Sequence, residues 1–101
     1  MLNVKSKAEF HVHPDWLAAA VNLSGGATAK LAVLILSIGQ QQGRRSIELK
    51  QPRLEEAGIE RTTAYRALKV LGDAGLIRIR QYERSSPNIE IVDHHLNLAD
   101  I

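Results

Sequence analysis

The sequence predicts an α+β fold, mostly α with a small β-hairpin at its C-terminal end. Three observations carry that reading. Four segments show helical apolar spacing and are bounded by proline or glycine. Leu76–Tyr82 and Ile89–Val92 alternate in polarity, and Arg84-Ser85-Ser86-Pro87-Asn88 between them is turn chemistry. The chain has 101 residues, 45% hydrophobic and 24% charged, which suits one domain around one core.

Residues 1–13 have mixed polarity and weak alternation, as in an arm or an edge strand. Pro14 opens a helix over Asp15–Leu23, since proline and aspartate both suit a first turn. Ser24-Gly25-Gly26 breaks it. A second helix runs from about Ala27 to Gln41. Leu31, Leu34, Ile35 and Ile38 follow helical spacing, and Val33 and Leu36 carry the apolar surface around most of the circumference. Such a helix is expected to be buried on several sides, at the centre of the fold or in a subunit interface. Gly39 and Gly43 bracket its end.

Ser46-Ile47-Glu48-Leu49 alternates as a short strand. Gln51-Pro52 begins a short third helix ending near Ala57, with Leu54 and Ala57 facing inward. Gly58 is a turn residue and Ile59 an apolar plug. A fourth helix covers roughly Arg61–Ala74, closed by Gly75. In the strand that follows, a period of two groups Leu76 with Arg78, Arg80 and Tyr82, and Ile77 with Ile79. The expected organisation is an arm at 1–13, a domain at 14–92 and an acidic tail at 93–101, either disordered or part of an interface.

Several function classes drop out on composition. With no cysteine there is no disulfide, no thiolate metal site and no thiol catalysis. The longest apolar run, Leu31–Ile38, is too short to span a bilayer. Met1–Phe10 has no apolar stretch of signal-peptide length. The expectation is a cytoplasmic protein with no membrane partner. Neither Gly-x-Ser-x-Gly nor a catalytic Ser-x-x-Lys arrangement occurs. Gly25-Gly26 with Thr28 and Lys30 lacks the order of a phosphate-binding loop. Glu55 and Glu56 are adjacent rather than set across a cleft. The reading is therefore not an enzyme, with no cofactor. His11 and His13, with His94 and His95, could hold a metal only if the two ends met; surface histidines and no metal are the expectation.

Charge is uneven although the net value is only +2. Residues 44–84 hold ten basic and six acidic groups, whereas residues 85–101 hold Glu90, Asp93 and Asp100 with no lysine or arginine. An anionic partner would be held by the middle block; a normally solvated surface fits the charge equally well.

The stretch Ala57-Gly58-Ile59-Glu60-Arg61-Thr62-Thr63-Ala64-Tyr65-Arg66-Ala67-Leu68 resembles a helix-turn-helix. Leu71-Gly72-Asp73-Ala74-Gly75-Leu76-Ile77 resembles the exit into a wing. Together they resemble the winged helix-turn-helix domain of bacterial regulators of the MarR and GntR type and of some plasmid replication initiators. The resemblance spans about Lys30 to Val92. It implies a winged helix-turn-helix fold and sequence-specific binding of double-stranded DNA, as in a small transcriptional regulator.

The fourth helix can be read without that resemblance. Helical geometry puts Ala64, Ala67, Leu68 and Leu71 on one face and Thr62, Tyr65, Arg66 and Lys69 on the opposite one, with Arg61 and Thr63 flanking. Arginine pairs bidentately with guanine, and threonine meets a base edge, a phosphate or a thymine methyl. The first residues of such a helix reach base edges. Thr62, Thr63, Tyr65 and Arg66 are the candidates for base readout, and Arg61 and Lys69 for backbone contact. On the wing, Arg78, Arg80 and Arg84 are candidates for phosphate contact. Arg44, Arg45, Lys50 and Arg53 could add backbone contacts or simply be solvated. Glu60 departs from the pattern: it caps poorly, although its charge suits a helix N-terminus.

Trp16, Leu17, Val21 and Leu23 need cover, either from the second helix or from a symmetric interface that includes Leu34 or Leu36. A homodimer is the expectation, because helix-turn-helix proteins commonly read two half-sites. Two other functions use the same features. One is a phage or plasmid replication or excision protein; the other is a winged-helix module that docks a protein without binding DNA.

Overall fold

The computed structural model describes residues 11–23, 25–81 and 87–93. Among them lie four helices and three strands: α1 (Pro14–Val21), α2 (Gly26–Gln42), β1 (Ser46–Glu48), α3 (Gln51–Glu56), α4 (Arg61–Asp73), β2 (Ile77–Gln81) and β3 (Asn88–Ile91). The class is α+β. None of these helices is long and apolar enough to cross a membrane.

Each helix boundary has a local cause. His13 caps α1, its Nδ1 accepting from the Asp15 N–H at 3.1 Å, and Pro14 fills the first turn. This helix ends two residues sooner than expected, because Leu23 N–H already bonds the Ala20 carbonyl at 3.1 Å in a tightened last turn. α3 and α4 close through a further, longer bond. Ile59 N–H reaches Leu54 O at 2.9 Å and Gly58 N–H reaches Glu55 O at 3.0 Å. Leu76 N–H reaches Leu71 O at 3.0 Å and Gly75 N–H reaches Gly72 O at 3.0 Å. Both are Schellman closures, which require a left-handed residue. Gly58 and Gly75 supply it at φ 73° and 79°.

The expected short strand joins the expected hairpin in one sheet. Its order is β1-β3-β2, all antiparallel, with the return strand β3 in the middle. Ile89 of β3 lies opposite Ile47 on one side and Ile79 on the other. Ile47 and Ile89 are buried and Ile79 packs against the same core, so the short β1 is held by an apolar row. On the outer face the corresponding row is Ser46, Glu90 and Arg78. A register shift falls between Ile79 and Gln81, leaving Arg80 as the extra residue of a bulge.

The helices bury one continuous core. Trp16 and Ala20 of α1 join Leu31, Ile35 and Ile38 of α2, Leu54 of α3, and Ala64, Leu68 and Leu71 of α4. α2 buries Leu31, Ala32, Ile35 and Ile38, while Val33 is 52% exposed, on a stripe with the exposed Lys30, Ser37 and Gln40. Leu76 does not share a face with Arg78 and Arg80. It is buried, because it lies in the turn before β2 where the strand alternation has not begun. Asp93, the first residue of the expected tail, is buried, and its Oδ2 accepts the His13 N–H at 2.8 Å. His94, His95, the rest of the tail, residues 1–10 of the arm, Tyr82 and Arg84 lie outside the described residues.

Candidate nucleic-acid interface

α4 is set by what lies beneath it. Ala64 and Ala67 are small enough to let the helix approach its neighbours closely, and Leu68 and Leu71 are fully covered. The opposite side is a straight exposed stripe of Thr62, Arg66, Lys69 and Asp73. Two expected members fall to its flanks. Tyr65 is half-buried and packs against the core, with the Arg61 guanidinium 5.6 Å from its ring centroid. Thr63 is half-buried as well. Of the four base-readout candidates, Thr62 and Arg66 project fully.

The N-terminus of α4 is open. Glu60 occupies the cap position, and its side chain makes no capping hydrogen bond. Its backbone carbonyl starts the helix, accepting from Ala64 N–H at 2.8 Å.

β2 places Arg78 next to the helix. A groove of about 580 Å³ runs between α4 and β2, lined by Lys69, Gly72, Asp73, Arg78, Ile79 and Val92 among others. The lysine of the helix and the first arginine of the strand therefore share one surface. Arg80 borders a second concavity on the outer sheet face, together with Arg44 and Glu48.

Sequence reasoning missed two acids within this surface. Glu90 Oε1 accepts from Arg78 Nη1 and from Arg80 Nη1, both at 3.1 Å. Asp73 Oδ2 lies 3.7 Å from Lys69 Nζ. The first signal was present in the strand register, since Glu90 points outward opposite Arg78. The second was present in the i,i+4 spacing. Arg66 and Thr62 make no ion pair or side-chain hydrogen bond with any described residue.

The four subsidiary cations are divided. Lys50 and Arg44 are exposed, the latter donating to Gln42 Oε1 at 3.3 Å. Arg53 donates to Gln41 Oε1 at 3.0 Å and lies 3.9 Å from Glu56. Arg45 turns inward and donates through Nη2 to the His11 carbonyl. Its half-buried guanidinium thus ties down the segment before α1. Among the described residues, no group of three or more histidine, aspartate or glutamate side chains is placed to hold a metal.

No family model matches the chain, and no curated protein or solved structure matches it.

Proposed function

We propose that the chain binds double-stranded DNA through a winged helix-turn-helix, as a small transcriptional regulator. α3, the Gly58-Ile59-Glu60 turn and α4 serve as the helix-turn-helix, and β2 and β3 as the wing. One observation carries the reading: the outward stripe of Thr62, Arg66 and Lys69 on α4 runs, at Lys69, into the groove that Arg78 of β2 also lines. A helix entering the major groove needs polar and cationic groups on one face, and cations beside it at the flanking phosphates. Thr62 and Arg66 then read bases, with Thr63 and Tyr65 at the edges of the contact. Arg61, Lys69, Arg78 and Arg80 hold the backbone. A second copy of the chain supplies the other half-site, docked over Val21 and Val33, which are 49% and 52% exposed.

Fluorescence anisotropy with a random-sequence duplex across a salt series, together with selection from a random DNA pool, tests this. The expected result is micromolar binding that weakens steeply with salt, plus an enriched palindromic motif. No binding at low salt would overturn the reading.

A further inference from the structure

Three of the four cations assigned to the DNA backbone differ in one respect from the two fully projecting residues assigned to the bases. Lys69, Arg78 and Arg80 each have a carboxylate partner on their own surface. Arg66 and Thr62 have none among the described residues. The pairing is asymmetric in kind as well. A single oxygen of Glu90 takes both wing guanidiniums, so one acid holds two cations together and halves their net charge.

Fold stability does not account for Asp73. It is the last residue of α4, where a negative charge opposes the helix macrodipole. Its bridge to Lys69 runs from lysine to acid, the weaker orientation for an i,i+4 pair, and both side chains are largely exposed at 75% and 72%. Glu90 is 31% exposed, but Arg78 and Arg80 are 62% and 59% exposed, so water screens the arginine end of each bridge.

We propose that Glu90, with Asp73 in a lesser role, attenuates the sequence-independent binding of this surface to phosphate. This rests on the DNA-binding reading above. Phosphate attraction supplies essentially all of non-specific affinity, whereas base contacts supply discrimination. A phosphate at the wing must displace the Glu90 carboxylate from two arginines, whatever the sequence. Arg66 carries no such cost, so the base contact keeps its full contribution while the phosphate contribution is reduced.

Glu90→Gln keeps the shape and an amide oxygen for the arginines, and removes the charge. The full chain and this variant are titrated with a random-sequence duplex across a salt series, and both are eluted from immobilised heparin as a DNA-independent polyanion. Random-duplex affinity is expected to rise about tenfold in Glu90→Gln, with one further phosphate contact in the salt slope. Heparin elution shifts to higher salt. Asp73→Asn, which leaves the sheet untouched, shifts both readouts the same way by less. Equal affinity, slope and elution in wild type and Glu90→Gln would overturn the proposal while leaving DNA binding intact. If no form binds duplex but Glu90→Gln still elutes later from heparin, the DNA reading fails and the charge-suppressing role of Glu90 stands.

Discussion

The indole Nε1 of Trp16 donates a 2.8 Å hydrogen bond to the carbonyl oxygen of Leu76, 60 residues further along the chain. The same carbonyl accepts from Val92 N–H at 2.9 Å. One oxygen thus joins α1, the exit from α4 and the exit from β3. The relative placement of the α4 stripe and the wing depends on that junction.

Trp16→Phe keeps most of the apolar bulk and removes the donor. It should cost about 1–2 kcal/mol, and Trp16→Ala about 3–5 kcal/mol, since a large cavity is then left at the junction. Urea unfolding with an unchanged m-value would measure both. A Trp16→Phe midpoint equal to wild type would mean that the indole hydrogen bond contributes nothing net.

Two glycines three residues apart should respond in opposite directions. Gly75 sits at φ 79°, so Gly75→Ala should destabilise by about 1–2 kcal/mol. Gly72 lies inside α4, where an added Cβ would meet Ile79 Cδ1 at 3.7 Å, an ordinary contact. Gly72→Ala should stabilise by about 0.5–1 kcal/mol through helix propensity. Thermal unfolding of the pair decides it: shifts of the same sign would contradict the Schellman closure.

Asp93 accepts the His13 N–H from a buried position. Asp93→Ala removes this buried acceptor, at a cost of about 1–3 kcal/mol. Asp93→Asn retains an acceptor oxygen and should lose less. Amide exchange at His13 is the specific readout, and it should accelerate in Asp93→Ala. Unchanged protection there would show that the contact does not hold the segment before α1.

Arg66 and Lys69 are neighbours on one stripe with different assigned roles. Arg66→Ala should lose about 1–3 kcal/mol at one base position and relax the preference there. Lys69→Ala should weaken binding evenly across sequences and reduce the salt slope by about one. Both are exposed, so unfolding free energies should stay within about 0.5 kcal/mol of wild type. An even loss in Arg66→Ala would make it a phosphate contact instead.

Much of the fold was readable from local chemistry. Pro14, Gly43, Gly58 and Gly75 mark helix ends because φ restriction and left-handed backbone act over a few residues. The inward set Ala64, Ala67, Leu68 and Leu71 follows from the helical period alone. So does the outward placement of Thr62, Arg66 and Lys69. Tyr65 and Thr63 were harder, because they lie on the flanks. Whether a flank is covered depends on the elements beside it.

The features that organise the candidate interface are of the second kind. Trp16 meets Leu76 across 60 residues, His13 meets Asp93 across 80, and Glu90 meets Arg78 across 12. The central position of β3 follows from Ile89 being sandwiched between Ile47 and Ile79. Spacing along a chain encodes which face of an element is apolar. It does not encode which other apolar face will cover it, because that depends on the packing of all elements together. The chemistry of the α4 stripe was therefore legible residue by residue. Its setting beside the wing, and the convergence of both wing arginines on Glu90, came only with the assembled core.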